Sequence, residues 1–172
     1  MTPQENLFIL ITLAVLVVLA IWKKNIPWEK LGFAPKPLFN GWWQVLLFSS
    51  IIFVLVQLTL ANDLVDFPVS IVDKDPLIPL LIIVFLQELI FRGLLITWLE
   101  RWGYQKALWI STIVFGLIHL VHPCSLFFAG LTLIGGYFLG WHFLKFRNIY
   151  LLVILHLIVN LSFNYALFQA IF

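Results

Sequence analysis

Long runs of apolar residues, separated by short polar segments, dominate this chain. A helix that spans a bilayer needs about 20 apolar residues. Six runs approach or exceed that length, at 6–22, 41–61, 77–100, 106–122, 125–144 and 148–171. The pattern predicts an all-α membrane protein, a bundle of about six transmembrane helices that forms a single domain over residues 1–172.

The composition agrees with this fold class. The chain is 63% hydrophobic and only 10% charged, and its mean hydropathy of +1.07 excludes a soluble globular domain and a disordered one. The single cysteine, Cys124, excludes an internal disulfide and a cysteine-based metal cluster. No Lys or Arg precedes the first run, so we interpret it as a retained helix rather than a signal peptide.

Positive charges are distributed unevenly among the loops. The loops after the first, third and fifth runs hold eight of the ten basic residues, namely Lys23, Lys24, Lys30, Lys36, Arg101, Lys106, Lys145 and Arg147. Lys74 lies on the opposite side, and Arg92 lies inside a run. Basic loops stay in the cytoplasm, so we expect both chain termini outside it. Short loops and the absence of a targeting segment favour a bacterial inner membrane.

Two features of the remaining sequence suggest how the helices are arranged. Segment 23–40 contains Pro27, Pro35 and Pro37, so it is too interrupted for one helix and is predicted to lie along the cytoplasmic membrane surface. Gly136 and Gly140 form a G-x-x-x-G pattern, which allows close approach of helices. We expect this pattern to pack inside the bundle rather than to form a dimer, and the oligomeric state stays open.

Five polar residues lie inside the apolar runs. A charge at the bilayer centre costs about 2.5–3.5 kcal/mol on insertion scales, yet Glu88 and Arg92 lie inside one run, and His119, His156 and Asn160 inside two others. Glu88, His119 and Asn160 are each thirteen positions from a basic residue at the cytoplasmic end of their run. We therefore predict that all five surround a polar intramembrane cavity that opens to the cytoplasm.

These residue types are suited to hydrolysis of an acyl bond. A carboxylate beside imidazoles can activate water as a general base, and a second imidazole with an amide can donate to an oxyanion. Zinc bound by Glu88, His119 and His156 is the alternative, but no His-Glu-x-x-His motif is present, so no cofactor is expected. Singly, each residue could instead be structural, as an ion pair, core histidine or interhelical hydrogen bond. We assign such structural roles to His122, His142 and Asn164.

The polar residues fall into three short motifs in a fixed order. They are Gln87-Glu88-Leu89-Ile90-Phe91-Arg92, then Phe115-Gly116-Leu117-Ile118-His119, then His156-Leu157-Ile158-Val159-Asn160. Over residues 77–165 the chain resembles the CAAX-protease and bacteriocin-processing family of glutamic-type intramembrane proteases. That family has E-E-x-x-x-R, F-x-x-x-H and H-x-x-x-N on separate helices.

The resemblance implies an endopeptidase that opens to the cytoplasm. It implies that His119 helps to activate water, that His156 and Asn160 form the oxyanion site, and that Arg92 orients the glutamates. The first glutamate of the family motif is Gln87 here, and a neutral amide cannot act as a base.

Three explanations of Gln87 stay open. Glu88 takes over the role, or the chain has lost catalysis and kept binding, or Gln87 is an isosteric substitution that inactivates the enzyme. Glu88 lies about 100° around an α-helix from position 87. A takeover by Glu88 would therefore require a helix rotation or a local bulge.

The function hypotheses fall into three classes. The first is an intramembrane endopeptidase whose partner is a membrane-anchored protein or peptide: a prenylated tail, a C-terminal sorting helix or a peptide precursor. The second is a membrane-embedded binding or immunity protein, which Gln87 favours. The third is a small transporter, although transporters commonly contain internal repeats and none is present. The lipid bilayer is a partner in every case, and no nucleic acid is expected.

Overall fold

The computed structural model describes residues 25–33, 41–61, 77–120 and 126–171, with isolated positions 12, 15, 18, 19 and 22. Within these residues the secondary structure is helical, without strands, so the all-α fold class is confirmed. The α-helices are α1 (Trp42–Ala61), α2 (Leu77–Glu88), α3 (Tyr104–Leu120), α4 (Leu126–Phe146) and α5 (Ile149–Ile171). Most of the predicted first run, 6–22, lies outside the described residues.

The helix that begins with α2 changes its geometry within the third apolar run. After Glu88 it continues as a π-helical segment, Leu89–Ile96, then as one α-helical turn, Thr97–Leu99, and a 3-10 turn, Glu100–Trp102. A π-helix closes i→i+5 hydrogen bonds, so each turn contains more residues than an α-helical turn. The side chains after Glu88 therefore point in different directions from those of a continuous α-helix.

The described helices differ in how clearly they qualify as membrane spans. One of them, Leu80–Trp102, is long and apolar enough to cross a bilayer, whereas Trp42–Leu58 and Ile149–Ser162 are shorter apolar stretches. The predicted bundle of six spans is therefore not confirmed as a whole. Large apolar side chains are exposed along α1 and α3, for example Leu47 and Leu117, as expected of helices whose outer faces are apolar.

The apolar core lies where α3, α4 and α5 meet the end of the π-helical segment. Its buried members include Ile96, Leu108, Phe143, Leu152 and Leu155. Helix α1 packs on this unit mainly through α5. It also reaches α4, because the rings of Phe48 and Phe138 are stacked with their centroids 3.8 Å apart.

The G-x-x-x-G pattern of α4 faces the interior of the protein, as predicted. A Cβ atom on Gly136 would lie 3.0 Å from the Phe115 ring, and one on Gly140 would lie 2.8 Å from the Leu108 side chain. Both neighbours belong to α3. Because neither glycine has a side chain, α3 and α4 can pack closely. The sequence favoured this role over dimer formation.

The N-terminal segment 25–33 contacts the junction of α4 and α5. Leu31 is completely buried, and the Gly32 carbonyl accepts a hydrogen bond of 3.1 Å from the Ile149 backbone N–H. Gly32 has a φ of +89°, and a Cβ there would lie 2.9 Å from the Ile149 nitrogen, so glycine is required at this contact. The position of this segment relative to a membrane stays a prediction.

Arg147 holds the same contact together with polar interactions. Its Nη1 donates to the Lys30 carbonyl at 3.2 Å, Thr97 donates to the same carbonyl at 3.1 Å, and Nη2 of Arg147 pairs with Glu100. Removal from solvent lowers the pKa of the Arg147 guanidinium below its ordinary value. Arg147 thus joins the N-terminal segment to two helical elements.

Candidate functional site

Glu88 is completely buried at the end of α2 and contacts two of the candidate side chains through one oxygen. Its Oε1 lies 2.7 Å from Nδ1 of His156 and 3.3 Å from Nη1 of Arg92. An ionised carboxylate can only accept, so with Glu88 ionised both nitrogens donate. The contact with His156 joins α2 to α5 across 68 positions of sequence.

Arg92 lies in the π-helical segment and is also completely buried. Its Nη2 donates to the Gly136 carbonyl of α4 at 3.3 Å, and its guanidinium carbon lies 4.2 Å from the centroid of the Phe115 ring. Nε of Arg92 and Oε2 of Glu88 have no hydrogen-bond partner among the described residues. The cation thus balances the carboxylate and connects three helices, which is the usual condition for a buried ion pair.

Phe115 stands at the centre of the cluster, and the sequence indicated it only as a motif residue. Its ring centroid is 4.6 Å from that of His119 and 5.9 Å from that of His156, the latter edge to face. Together with the cation–π contact to Arg92, these contacts place one aromatic ring against three polar side chains. The available signal was its spacing, because Phe115 precedes His119 by one helical turn and therefore shares its face.

His119 is oriented by its own helix. Its Nδ1 lies 2.8 Å from the Phe115 carbonyl oxygen, and a carbonyl oxygen only accepts, so Nδ1 carries a proton. In the neutral imidazole the other nitrogen, Nε2, is then an acceptor. The two imidazoles of the site are therefore held through the same ring atom but by different partners, a backbone carbonyl for His119 and a carboxylate for His156.

A cavity of about 60 Å³ lies beside both imidazoles. It is lined by residues of α1, α3, α4 and α5: Phe48, Ile52, Phe115, His119, Leu131, Thr132, Gly135, Leu139, Leu155, His156, Val159 and Asn160. This volume accommodates a few water molecules. Most of the lining is apolar, and the two imidazoles, the Asn160 amide and the Thr132 hydroxyl are its polar groups.

The six predicted site residues divide into three sets. His119, His156 and Asn160 line the cavity, as the sequence indicated. Glu88 and Arg92 do not line it; they lie behind His156, within the protein. Gln87, the remaining candidate, is half-buried and is likewise not among the described residues that line the cavity.

His142 is a further histidine in the described part of the structure, and it is not part of this cluster. His142 is buried, and its Nε2 lies 3.2 Å from the Gly41 carbonyl oxygen, which is the structural role that the sequence suggested. The side chains of His122 and Asn164 lie outside the described part of the structure. Among the described residues, no three His, Cys, Asp or Glu side chains are grouped so as to hold a metal ion, so the alternative zinc site gains no geometric support.

Comparison with known proteins adds one finding. Residues 75–162, slightly more than half of the chain, match the family model described as type II CAAX prenyl endopeptidase Rce1-like. The matched range contains all six candidate residues. No curated protein and no solved structure matches the chain significantly.

Proposed function

Because the chain belongs to the type II CAAX prenyl endopeptidase Rce1-like family, a family of membrane proteases, we propose that it is an intramembrane endopeptidase. It hydrolyses a peptide bond in a membrane-associated protein or peptide tail with water activated by the Glu88, His119 and His156 side chains. The observation that supports this most is the 2.7 Å contact between Glu88 and His156 at the wall of a cavity that His119 and Asn160 also line.

The arrangement provides the groups that hydrolysis requires. A water molecule in the cavity lies beside imidazoles that can accept its proton. The Asn160 amide can donate to the oxyanion that forms on the scissile carbonyl. A cavity of about 60 Å³ holds water but no peptide, so substrate binding requires the wall to open, and Phe48 and Ile52 of α1 form part of that wall.

The membrane setting of the proposal follows from the charge distribution. With basic loops in the cytoplasm, both termini lie outside it and the site accepts substrates from the cytoplasmic side of a bacterial inner membrane. Substrates of this class include a peptide precursor, a C-terminal sorting helix and a lipid-modified tail. Neither recognition of the substrate nor catalysis requires a bound cofactor.

The second candidate is a binding or immunity protein without catalysis. Gln87 favours it, because this residue stands where the family motif has its first glutamate. In that case the cavity wall is a peptide-binding surface, and Glu88 with Arg92 is a structural ion pair. The two candidates differ in whether any variant of the chain releases a peptide product.

Reconstitution with membrane-anchored peptides separates the candidates. The purified chain in liposomes is incubated with a panel of anchored tails, and products are identified by mass spectrometry, for the wild type and for Gln87→Glu, Glu88→Gln and His119→Ala. We expect cleavage by the wild type and its loss on Glu88→Gln and His119→Ala. Peptide binding without cleavage by the wild type and by Gln87→Glu would instead establish the binding protein.

Metal removal provides a separate prediction. Cleavage should survive dialysis against EDTA and 1,10-phenanthroline, because the described residues offer no group of three metal-ligating side chains. The initial rate before and after treatment is the measurement. Loss of activity that zinc restores, while magnesium does not, would show that metal is required.

A further inference from the structure

The two cavity imidazoles differ in what holds their Nδ1 atoms. The Nδ1 atom of His119 is held by a backbone carbonyl at 2.8 Å, and that of His156 by the Glu88 carboxylate at 2.7 Å. When an imidazole accepts a proton at Nε2 it becomes a cation. A carboxylate stabilises that cation far better than a neutral carbonyl does, and it also fixes the tautomer. By this criterion His156 is the better placed of the two to take up a proton at Nε2.

A π-helical segment begins directly after Glu88, the residue that makes this contact. On a regular α-helix, residues 87 and 88 point about 100° apart. The helix here leaves α-helical geometry immediately after Glu88 and does not return to it until Thr97. Glu88 and Arg92 are then both completely buried and paired at 3.3 Å, while Gln87 stays half-buried outside the cavity lining. A departure from α-helical geometry thus begins at the residue that follows Glu88.

We propose that Glu88 is a positioning residue that orients and polarises His156, and that His156 is the general base in place of a glutamate at position 87. The proposal rests on the proposed endopeptidase function. Nε2 of His156 takes a proton from water, the hydroxide attacks the peptide carbonyl carbon, and the Asn160 amide donates to the oxyanion. The imidazolium then returns the proton to the leaving amine as the C–N bond breaks.

Arg92 and Phe115 complete the arrangement. The Arg92 guanidinium places a positive charge 3.3 Å from the buried Glu88 carboxylate, and its second nitrogen is anchored on the Gly136 carbonyl. Phe115 packs edge to face on His156 and separates Arg92 from the cavity. Nδ1 of His156 faces Glu88 at 2.7 Å, and the His156 side chain lines the cavity.

Nitrogen NMR of the histidines tests the arrangement without any substrate. The chain labelled with ¹⁵N-histidine is reconstituted at neutral pH, and the His156 signals are assigned by their loss in His156→Gln. We expect neutral His156 to carry its proton on Nδ1, and that preference to weaken in Glu88→Gln. A wild-type His156 that carries its proton on Nε2 would overturn the proposal.

Kinetics test the base itself. We expect Glu88→Gln to lower kcat by about 10⁴-fold with little change in KM, and Glu88→Asp to keep part of the activity because it restores a carboxylate. The double variant Glu88→Gln with Arg92→Met removes both buried charges, so it avoids an unpaired cation and should still lack activity. Full activity in the folded double variant would overturn the role of Glu88.

Gln87→Glu distinguishes His156 from a base at position 87. With His156 as the base, this change should raise kcat by less than tenfold, whereas restoring a missing general base would raise it by about 10²–10⁴-fold. A rise in that range would overturn the proposal and leave the endopeptidase function in place. If every variant lacks cleavage, the proposed endopeptidase function and the proposed role of His156 as general base are both wrong. The NMR signal then still shows whether Glu88 orients the His156 ring.

Discussion

At the residue scale, a buried cation and carboxylate dominate the energetics of the site. Glu88 and Arg92 are both completely buried, and each retains one polar atom without a hydrogen-bond partner among the described residues, Oε2 and Nε respectively. Such a pair contributes little net stability compared with an apolar replacement, yet loss of one partner is costly because the other charge stays buried. The arrangement is therefore more easily explained by function than by stability.

Replacing Arg92 alone should destabilise the protein strongly. Arg92→Met leaves the Glu88 carboxylate without its cation in a buried position, and we expect a loss of about 3–5 kcal/mol in the free energy of unfolding. The free energy of unfolding is measured by titrating SDS into the protein in a mild detergent. The matched control is Glu88→Gln with Arg92→Met, which removes both charges and should recover most of the loss. Equal stability of the single and double variants would contradict this prediction.

At the element scale, α4 presents glycines in two different environments. Gly136 faces Phe115 and Arg92, whereas a Cβ on Gly130 of the same helix would meet nothing within 4 Å. The Phe115 ring cannot move aside easily, since it is itself packed against Arg92, His119 and His156. The same substitution should therefore have opposite effects at the two positions.

Gly136→Ala should lower the free energy of unfolding by about 1–3 kcal/mol, the usual cost of overpacking, and should reduce catalysis by displacing Phe115. Gly130→Ala should raise it by up to about 1 kcal/mol, because alanine has the higher helix propensity. Both are measured by the same SDS titration. A Gly136→Ala variant as stable as Gly130→Ala would show that the α3–α4 contact is looser than described.

The attachment of segment 25–33 is a second property of elements. Arg147 and Thr97 both donate to the Lys30 carbonyl, and Leu31 is buried, so the peptide bond between Lys30 and Leu31 is protected. Arg147→Gln should make this bond a site of rapid cleavage by trypsin, as expected when a segment opens locally. Lys145→Gln, at a neighbouring exposed cation, is the control and should leave the cleavage rate unchanged. Equal rates for the two variants would contradict the role of Arg147.

At the scale of the whole molecule, the placement of charged residues predicts one orientation in the membrane. The distribution of Lys and Arg predicts that position 36 is cytoplasmic and position 74 external. In a Cys124→Ala background, a membrane-impermeant maleimide applied to intact cells should label Lys74→Cys and spare Lys36→Cys. Labelling of Lys36→Cys after permeabilisation is the control for reactivity. Labelling of that position in intact cells would reverse the orientation.

Much of the fold could be read from the order of apolar and polar residues. The predicted runs 41–61, 106–122, 125–144 and 148–171 agree within about two residues with the helices α1, α3, α4 and α5. The polar residues inside those runs identified His119, His156 and Asn160, which share one cavity. These properties are predictable because the free energy of placing an apolar run or a polar residue in a membrane depends on the local sequence.

Tertiary packing decided which side chains the intramembrane polar residues contact. The hydropathy pattern of run 77–100 contains no sign of the π-helical segment Leu89–Ile96, because that pattern does not distinguish one helical geometry from another. The contact of Glu88 with His156, 68 positions away, depends on how far each helix is rotated about its axis. Close packing across the core sets that rotation, and the same packing placed Phe115 among three polar side chains and Gln87 outside the cavity.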